Sequence, residues 1–146
     1  MQFITIGKPP EYLRLTAVRW PPDSAPEFVP RDKRRYLNAE LRNRDVTAKV
    51  RLDLGHEYAG LVQFFDQVVA QWHELNNSSM TWGLSSALRL EVVPGPRPAL
   101  GPDHLVVHIK LQNGGWRRRL WTLETSLVLS PEELEAIARD ARRLTD

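Results

Sequence analysis

The sequence predicts an α+β protein in which one antiparallel sheet of about six strands carries two helices packed on one face. Several segments alternate apolar and polar residues and are separated by turn residues. Two further segments show the spacing of amphipathic helices, and no strand–helix–strand rhythm of a parallel sheet is present. We expect the 146 residues to form a single domain, 1–146, whose sheet leaves its other face open to solvent.

The first predicted strand covers residues 12–20, where Leu13, Leu15 and Ala17 alternate with polar residues and are expected to point inward. Four prolines follow within ten residues. Because proline removes a backbone donor and restricts the residue before it, we predict a Pro-rich surface loop at 21–30.

The clearest alternation lies between Arg34 and Leu54 and predicts an antiparallel hairpin. Asn43, Arg44 and Asp45 interrupt it, and Asn and Asp tolerate tight turns. The residues expected to point inward are Leu37, Ala39, Leu41, Val46, Ala48, Val50, Leu52 and Leu54. Those expected on the outer face are Tyr36, Glu40, Arg42, Lys49, Arg51 and Asp53.

The hydrophobic period then becomes helical, which predicts a helix over residues 57–75. Its apolar stripe consists of Tyr58, Leu61, Val62, Phe65, Val68, Val69, Trp72 and Leu75. Trp82 and Leu84 lead into the next predicted strand, in which Leu88, Leu90 and Val92 alternate with charged residues. A Pro- and Gly-rich connection follows over residues 94–102.

The last two strands are predicted over residues 104–111 and 116–129, with a hairpin turn at 113–115 because Asn and Gly accept positive φ. Their expected inward residues are Leu105, Val107, Ile109, Leu111, Trp121, Leu123, Leu127 and Leu129. Ser130 to Glu133 then form a capping box with proline at the first helical position. The helix that follows places Leu134, Ile137, Ala138, Ala141 and Leu144 on one face.

Composition excludes several classes of function. The chain has no cysteine, which rules out a disulfide framework, a zinc ribbon, an iron–sulfur cluster and cysteine-based catalysis. No apolar run approaches the roughly 18–20 residues of a membrane span, and the N-terminus lacks a secretory signal, so we expect a cytoplasmic protein. A formal net charge of +2 gives only weak attraction to nucleic acid or anionic lipid.

Neither a cofactor nor a metal is expected. His104 and His108 lie four residues apart on a predicted strand, about 13 Å at 3.3 Å per residue, which is too far for both to bind one ion. The nucleophile-elbow, P-loop, zinc-protease and dinucleotide-binding patterns are all absent. We therefore expect a protein that is not an enzyme, although an enzyme whose catalytic groups meet only in space stays open.

The candidate partner-binding residues combine tryptophan, arginine and solvent-facing strand positions. Exposed Trp and Arg are typical of interface hot spots, and Trp116, Arg117 and Arg119 bring both types together. Further candidates on the polar sheet face are Lys49, Arg51, His104 and His108. The alternative is a nucleic-acid-associated module in which the hairpin at 117–121 grips phosphates and stacks bases.

Several segments of the second half carry a resemblance to a known family. They are FFDQVVAQW at 64–72, Trp82 with ALRLE at 87–91, DHLVVHIK at 103–110 and ETSLVLSPEEL at 124–134. In this order they resemble uncharacterised small proteins of GC-rich bacteria, a family similar to the WapI-type immunity proteins of contact-dependent toxin systems. The resemblance covers residues 34–144, and the Pro-rich stretches at 21–30 and 94–102 depart from the family's shorter turns.

The resemblance implies binding rather than catalysis. A protein of this kind would neutralise a partner toxin by covering its active site with the polar sheet face and hairpin loops. The chain has no acidic run of the kind expected in an inhibitor of a nuclease with a basic cleft, so a nuclease partner is not favoured.

Overall fold

The computed structural model describes residues 2–19, 35–52, 58–72, 79–84, 87–95, 104–115 and 118–144. It confirms an α+β architecture with antiparallel strands. Two helices and eight strands follow one another in the order β1 Gln2–Lys8, β2 Glu11–Arg19, β3 Arg35–Asn43, β4 Val46–Leu52, α1 Tyr58–Gln71, β5 Met80–Leu84, β6 Leu88–Pro94, β7 Leu105–Gly115, β8 Arg118–Leu129 and α2 Pro131–Leu144.

The strands form two four-stranded sheets, and the prediction of one six-stranded sheet is wrong. The N-terminal sheet has the order β1-β2-β3-β4 and the C-terminal sheet has the order β5-β6-β7-β8. Every neighbouring pair is antiparallel. Division into two sheets lets the inner faces of both be buried in one common core.

Two strands lie outside the sequence prediction. β1 alternates correctly, with Ile4 and Ile6 buried, but exposed Phe3 makes both of its faces partly apolar. β5 is only five residues long, and Gly83 interrupts its pattern. In both segments the alternation of apolar and polar residues is too short or too irregular to predict a separate strand.

The described chain repeats one order of elements, because four antiparallel strands and a 14-residue helix occur twice. The two helices contact each other, α2 also packs on β1, and α1 contacts β5. The edge strand β8 lies against β1, β2 and β3 of the other sheet.

A single hydrophobic cluster joins both sheets and both helices. Leu13 and Leu15 of the N-terminal sheet, Leu105 and Ile109 of the C-terminal sheet, and Phe65 of α1 all belong to it and are at most 1% exposed. The inward direction predicted for the described residues of these strands is therefore confirmed, with one exception. Val46 is 53% exposed, because it lies beside the turn at the end of the hairpin.

The two helices differ in how closely they follow the prediction. The described part of α1 ends at Gln71, and its buried residues are Leu61, Phe65 and Val68 of the predicted stripe together with Phe64. α2 begins at Pro131, as predicted, and its buried residues are those of the predicted face. Its capping box is formed, since the Ser130 hydroxyl accepts the Glu133 backbone N–H at 3.2 Å and the Ser130 N–H donates to Glu133 Oε1 at 3.4 Å.

The two predicted hairpin turns have different outcomes. The first is confirmed, since Asn43 pairs with Val46 across Arg44 and Asp45. The second is misplaced, because the residues at 113–115 continue β7 and pair with β8 across a bulge. Residues 116 and 117, the Pro-rich loop at 21–30 and most of the connection at 94–102 lie outside the described residues.

Within the described ranges, neither helix is long and apolar enough to cross a membrane.

Candidate protein-binding surface

Each sheet turns one face toward the shared core and the other away from it. The outward face of the N-terminal sheet has one column of side chains from each strand, because outward positions recur at every second residue. We call this surface the aromatic–basic face; its described side chains are Phe3, Thr5, Tyr12, Arg14, Thr16, Val18, Asn38, Glu40, Arg42, Thr47, Lys49 and Arg51.

Arg14 lies between two aromatic rings on this face. Its guanidinium carbon is 5.4 Å from the centroid of the Phe3 ring and 5.2 Å from that of the Tyr12 ring. Its Nε donates to Thr5 Oγ1, the side chain directly across on β1, at 3.4 Å. These contacts restrain the guanidinium in one position, because cation–π attraction and a hydrogen bond act on it together.

The carboxylate of Glu40, directly across from Arg14 on β3, contacts Tyr12 and Lys49 instead of Arg14. Glu40 Oε2 accepts the Tyr12 hydroxyl at 3.3 Å, and Glu40 Oε1 lies 3.6 Å from the Lys49 ammonium. Among the residues that the structure describes, no carboxylate lies within ion-pairing distance of Arg14. The Arg14 guanidinium is thus half-buried and restrained, with its two Nη nitrogens left without an acidic partner from the described residues.

The described side chains of the aromatic–basic face have an excess of positive charge. Its described side chains include four cations, Arg14, Arg42, Lys49 and Arg51, and one carboxylate, that of Glu40. The ring of Phe3 is 55% exposed beside them, whereas Tyr12 is only 8% exposed. An apolar ring next to an excess of cations suits a partner surface that is apolar at its centre and acidic around it.

Backbone contacts at one end of the face hold its strands in register. The N–H of Arg44, which has a φ of 57°, donates to the Pro10 carbonyl at 3.1 Å, and Arg44 Nε pairs with Glu11 Oε1 at 3.0 Å. These bonds tie the β3–β4 turn to the β1–β2 turn. The columns of side chains on the face therefore have a fixed spacing.

The outward face of the C-terminal sheet has a different electrostatic character. Two cross-strand rows run over it, one of Arg89, Lys110 and Glu124 and the other of Glu91, His108 and Ser126. These side chains line a shallow groove of about 380 Å³. With two cations and two carboxylates this mixed-charge face is balanced, and the His108 Nδ1 lies 2.6 Å from the Ser126 hydroxyl oxygen.

The structure distributes the predicted site residues over separate places. Lys49 and Arg51 are exposed on the aromatic–basic face, whereas His108 is exposed on the mixed-charge face. His104 directly precedes β7, and its buried Nδ1 has no hydrogen-bond partner among the described residues.

Of the three hairpin residues predicted to bind a partner, the structure describes only the backbone of Arg119. Trp116 and Arg117 lie outside the described residues, and Arg119 is described as the β8 backbone position that pairs with Gly114.

Sequence reasoning missed three residues at the centre of the aromatic–basic face. Tyr12 and Arg14 occupy alternate positions of one strand and so share a face, which the sequence alone could have shown. Phe3 joins them only through the pairing of β1 with β2, which places it diagonally from Arg14. Because β1 was not predicted, the sequence did not indicate that Phe3 lies beside Arg14.

The described residues include no group of three or more His, Asp or Glu side chains arranged to hold a metal ion. Scanning the chain against protein-family models and searching it against curated proteins gave no match.

Proposed function

We propose that this chain is a non-catalytic protein-binding module that covers a partner protein with the aromatic–basic face. In keeping with the family resemblance, we propose an immunity-like role in the bacterial cytoplasm, in which the partner is a toxin that is neutralised by occlusion. Lys49 and Arg51 contribute charge to this face. Trp116, Arg117 and Arg119 remain proposed secondary contacts. His108, on the mixed-charge face, and His104, which directly precedes β7, are not assigned to the covered surface.

The observation that supports this proposal most directly is the Phe3–Arg14–Tyr12 cluster. Arginine is enriched among the residues that dominate binding energy, and such residues lie in well-packed surroundings. Because both rings and Thr5 restrain Arg14 before any partner arrives, little side-chain entropy remains to be lost on binding. An exposed ring beside a restrained arginine is a suitable centre for an interface.

The net positive charge of the face supports a partner with an acidic surface. Complementary charge accelerates encounter and excludes wrong partners more than it adds affinity. A nuclease that presents a basic cleft would be repelled by this face. We therefore propose a toxin of another class, with carboxylates around the surface that is covered.

Capture from the native cell with matched charge-reversal variants tests the proposal. The variant R14E/K49E reverses two cations on the aromatic–basic face, and R89E/K110E reverses two cations on the mixed-charge face. We expect the wild-type chain and R89E/K110E to retain a stoichiometric protein partner that R14E/K49E loses. Circular dichroism of each variant establishes that the fold is intact.

Three results would contradict the proposal. The first is the absence of any stoichiometric protein partner of the wild-type chain. The second is a partner lost through R89E/K110E and kept by R14E/K49E. The third is recovery of nucleic acid with an affinity that falls steeply with added salt, which would support the nucleic-acid alternative instead.

A further inference from the structure

We infer that Arg14 is the specificity-determining contact of the aromatic–basic face, and that it recognises a carboxylate side chain of the partner through its two Nη nitrogens. This inference rests on the proposed function, because it names the chemical group that the proposed interface reads. It follows from three features of the Arg14 environment.

The first feature is the direction in which Arg14 can still donate. Its Nε–H is directed to Thr5 Oγ1 at 3.4 Å, and the Phe3 and Tyr12 rings lie 5.4 and 5.2 Å from the guanidinium carbon. The two terminal nitrogens keep the remaining four N–H donors of the guanidinium. A planar acceptor with two oxygens matches such a pair of donors, because both parallel hydrogen bonds then form at once.

The second feature is that the neighbouring acid does not compensate Arg14. Glu40 lies directly across the strand pair, within reach of an ordinary ion pair, yet it binds the Tyr12 hydroxyl and the Lys49 ammonium. The two Glu40 oxygens are thus occupied by Tyr12 on β2 and Lys49 on β4. A half-buried cation beside two rings gains from an incoming carboxylate, since the rings also shield the new pair from water.

The third feature distinguishes Arg14 from two other cations of the face, Arg42 and Lys49. Arg42 is exposed, and its Nε donates to the Arg44 carbonyl at 3.2 Å, while Lys49 already has Glu40 as a partner. Neither contacts an aromatic ring among the described residues. Arg42 and Lys49 add positive charge to the face, whereas the contacts of Arg14 with Thr5, Phe3 and Tyr12 also restrain its guanidinium.

A protein carboxylate is favoured over a phosphate of nucleic acid as the group that binds here. Single-strand binders stack successive bases on open rings, but one face of the Phe3 ring is already taken by Arg14 and Tyr12 is buried. The remaining exposed surface of the cluster suits one side chain with an apolar neighbour. We therefore assign a glutamate or aspartate of a protein as the occupant.

The test is an NMR titration of the ¹⁵N-labelled chain with hexaglutamate, with hexaglutamine as the uncharged control. R14K keeps the charge but removes the paired donors and the planar stacking group, and R42K makes the same change on the same face outside the cluster. We expect hexaglutamate to shift the backbone amides of Thr5 and Arg14. R14K should weaken its affinity about tenfold and R42K less than twofold, since the loss of a charge-assisted bidentate contact is of that order.

Equal affinities of R14K and the wild-type chain would overturn the inference, as would equal losses from R14K and R42K or equal binding of hexaglutamine. A single-stranded thymidine oligonucleotide that binds more tightly than hexaglutamate and depends on Arg14 would also overturn it, by making a phosphate the ligand. These outcomes are distinct from failure of the proposed function. If R14E/K49E loses the cellular partner while R14K binds hexaglutamate as tightly as the wild-type chain, the proposed interface is supported. The inference that Arg14 determines its specificity is then wrong.

Discussion

Gly7 shows how a single residue permits the contact between the two sheets. Its φ is +93°, and a Cβ at this position would lie 2.8 Å from the Glu11 carbonyl oxygen and 2.9 Å from Leu127 Cδ1. Only glycine adopts this backbone conformation without steric cost. Leu127 belongs to β8, so the missing side chain is what lets β1 approach the other sheet.

Replacing Gly7 with alanine is expected to destabilise the protein by about 2–4 kcal/mol, because a left-handed φ and an overpacked contact are combined. Urea denaturation followed by circular dichroism measures this change. Gly83→Ala is the matched control, since the nearest heavy atom to its added Cβ would be 3.7 Å away. We expect the control to change stability by less than about 1 kcal/mol. Equal losses in the two variants would show that neither the positive φ of Gly7 nor its contact with Leu127 restricts a side chain at this position.

The limits of sequence reasoning are also visible at individual residues. The outward positions of Arg42, Lys49 and Arg51 were predictable, because alternation along a strand fixes the face. The pairing of Glu40 with Tyr12 and Lys49 was not, since it depends on strand register and on side-chain rotamers. A sequence pattern thus predicts which residues share a face and leaves open which of them bind one another.

At the scale of elements, segments formed by local interactions were predicted more accurately than segments that depend on pairing with another strand. α2 was predicted because its cap, its proline and its apolar stripe are all local features. β1 and β5 were not predicted, because each depends on a neighbouring strand more than on its own pattern. The turn predicted at 113–115 was also misplaced, because these residues pair with β8 and extend β7 to Gly115.

The capping box of α2 gives a prediction for one element. Ser130→Ala removes the hydroxyl that accepts the Glu133 N–H, and we expect a loss of about 1 kcal/mol in the free energy of unfolding. Glu135→Ala, an exposed change on the same helix, should alter stability by no more than about 0.5 kcal/mol. Urea denaturation of both variants measures the difference, and a fully stable S130A protein would contradict the role given to this cap.

At the scale of the whole molecule, the two repeats of four strands and a helix share one hydrophobic cluster. The α1–α2 contact and the packing of β8 against the N-terminal sheet join them. Both sheets contribute their buried inner residues to this cluster. The two outward faces are left with different charge, one basic and one balanced, so only the first carries a preference for an acidic partner.

This shared core predicts cooperative unfolding of the whole chain. Tryptophan fluorescence and far-ultraviolet circular dichroism should report the same urea midpoint and a single transition, as expected for one cooperative unit. Leu15→Ala, in the N-terminal sheet, should shift both signals together by about 2–5 kcal/mol. Two separated transitions, of which L15A moves only one, would show that the halves fold independently.

Site-specific photo-cross-linking in the native cell tests the central claim most directly. The photoreactive analogue p-benzoylphenylalanine replaces either Phe3, 55% exposed on the aromatic–basic face, or Val128, 47% exposed on the outward side of β8. We predict a discrete cross-linked protein from position 3 and none from position 128, with the adduct at position 3 lost when R14E/K49E is introduced. A protein adduct from position 128 alone, an adduct to nucleic acid at position 3, or no adduct at either position would contradict the assignment of this face to a protein partner.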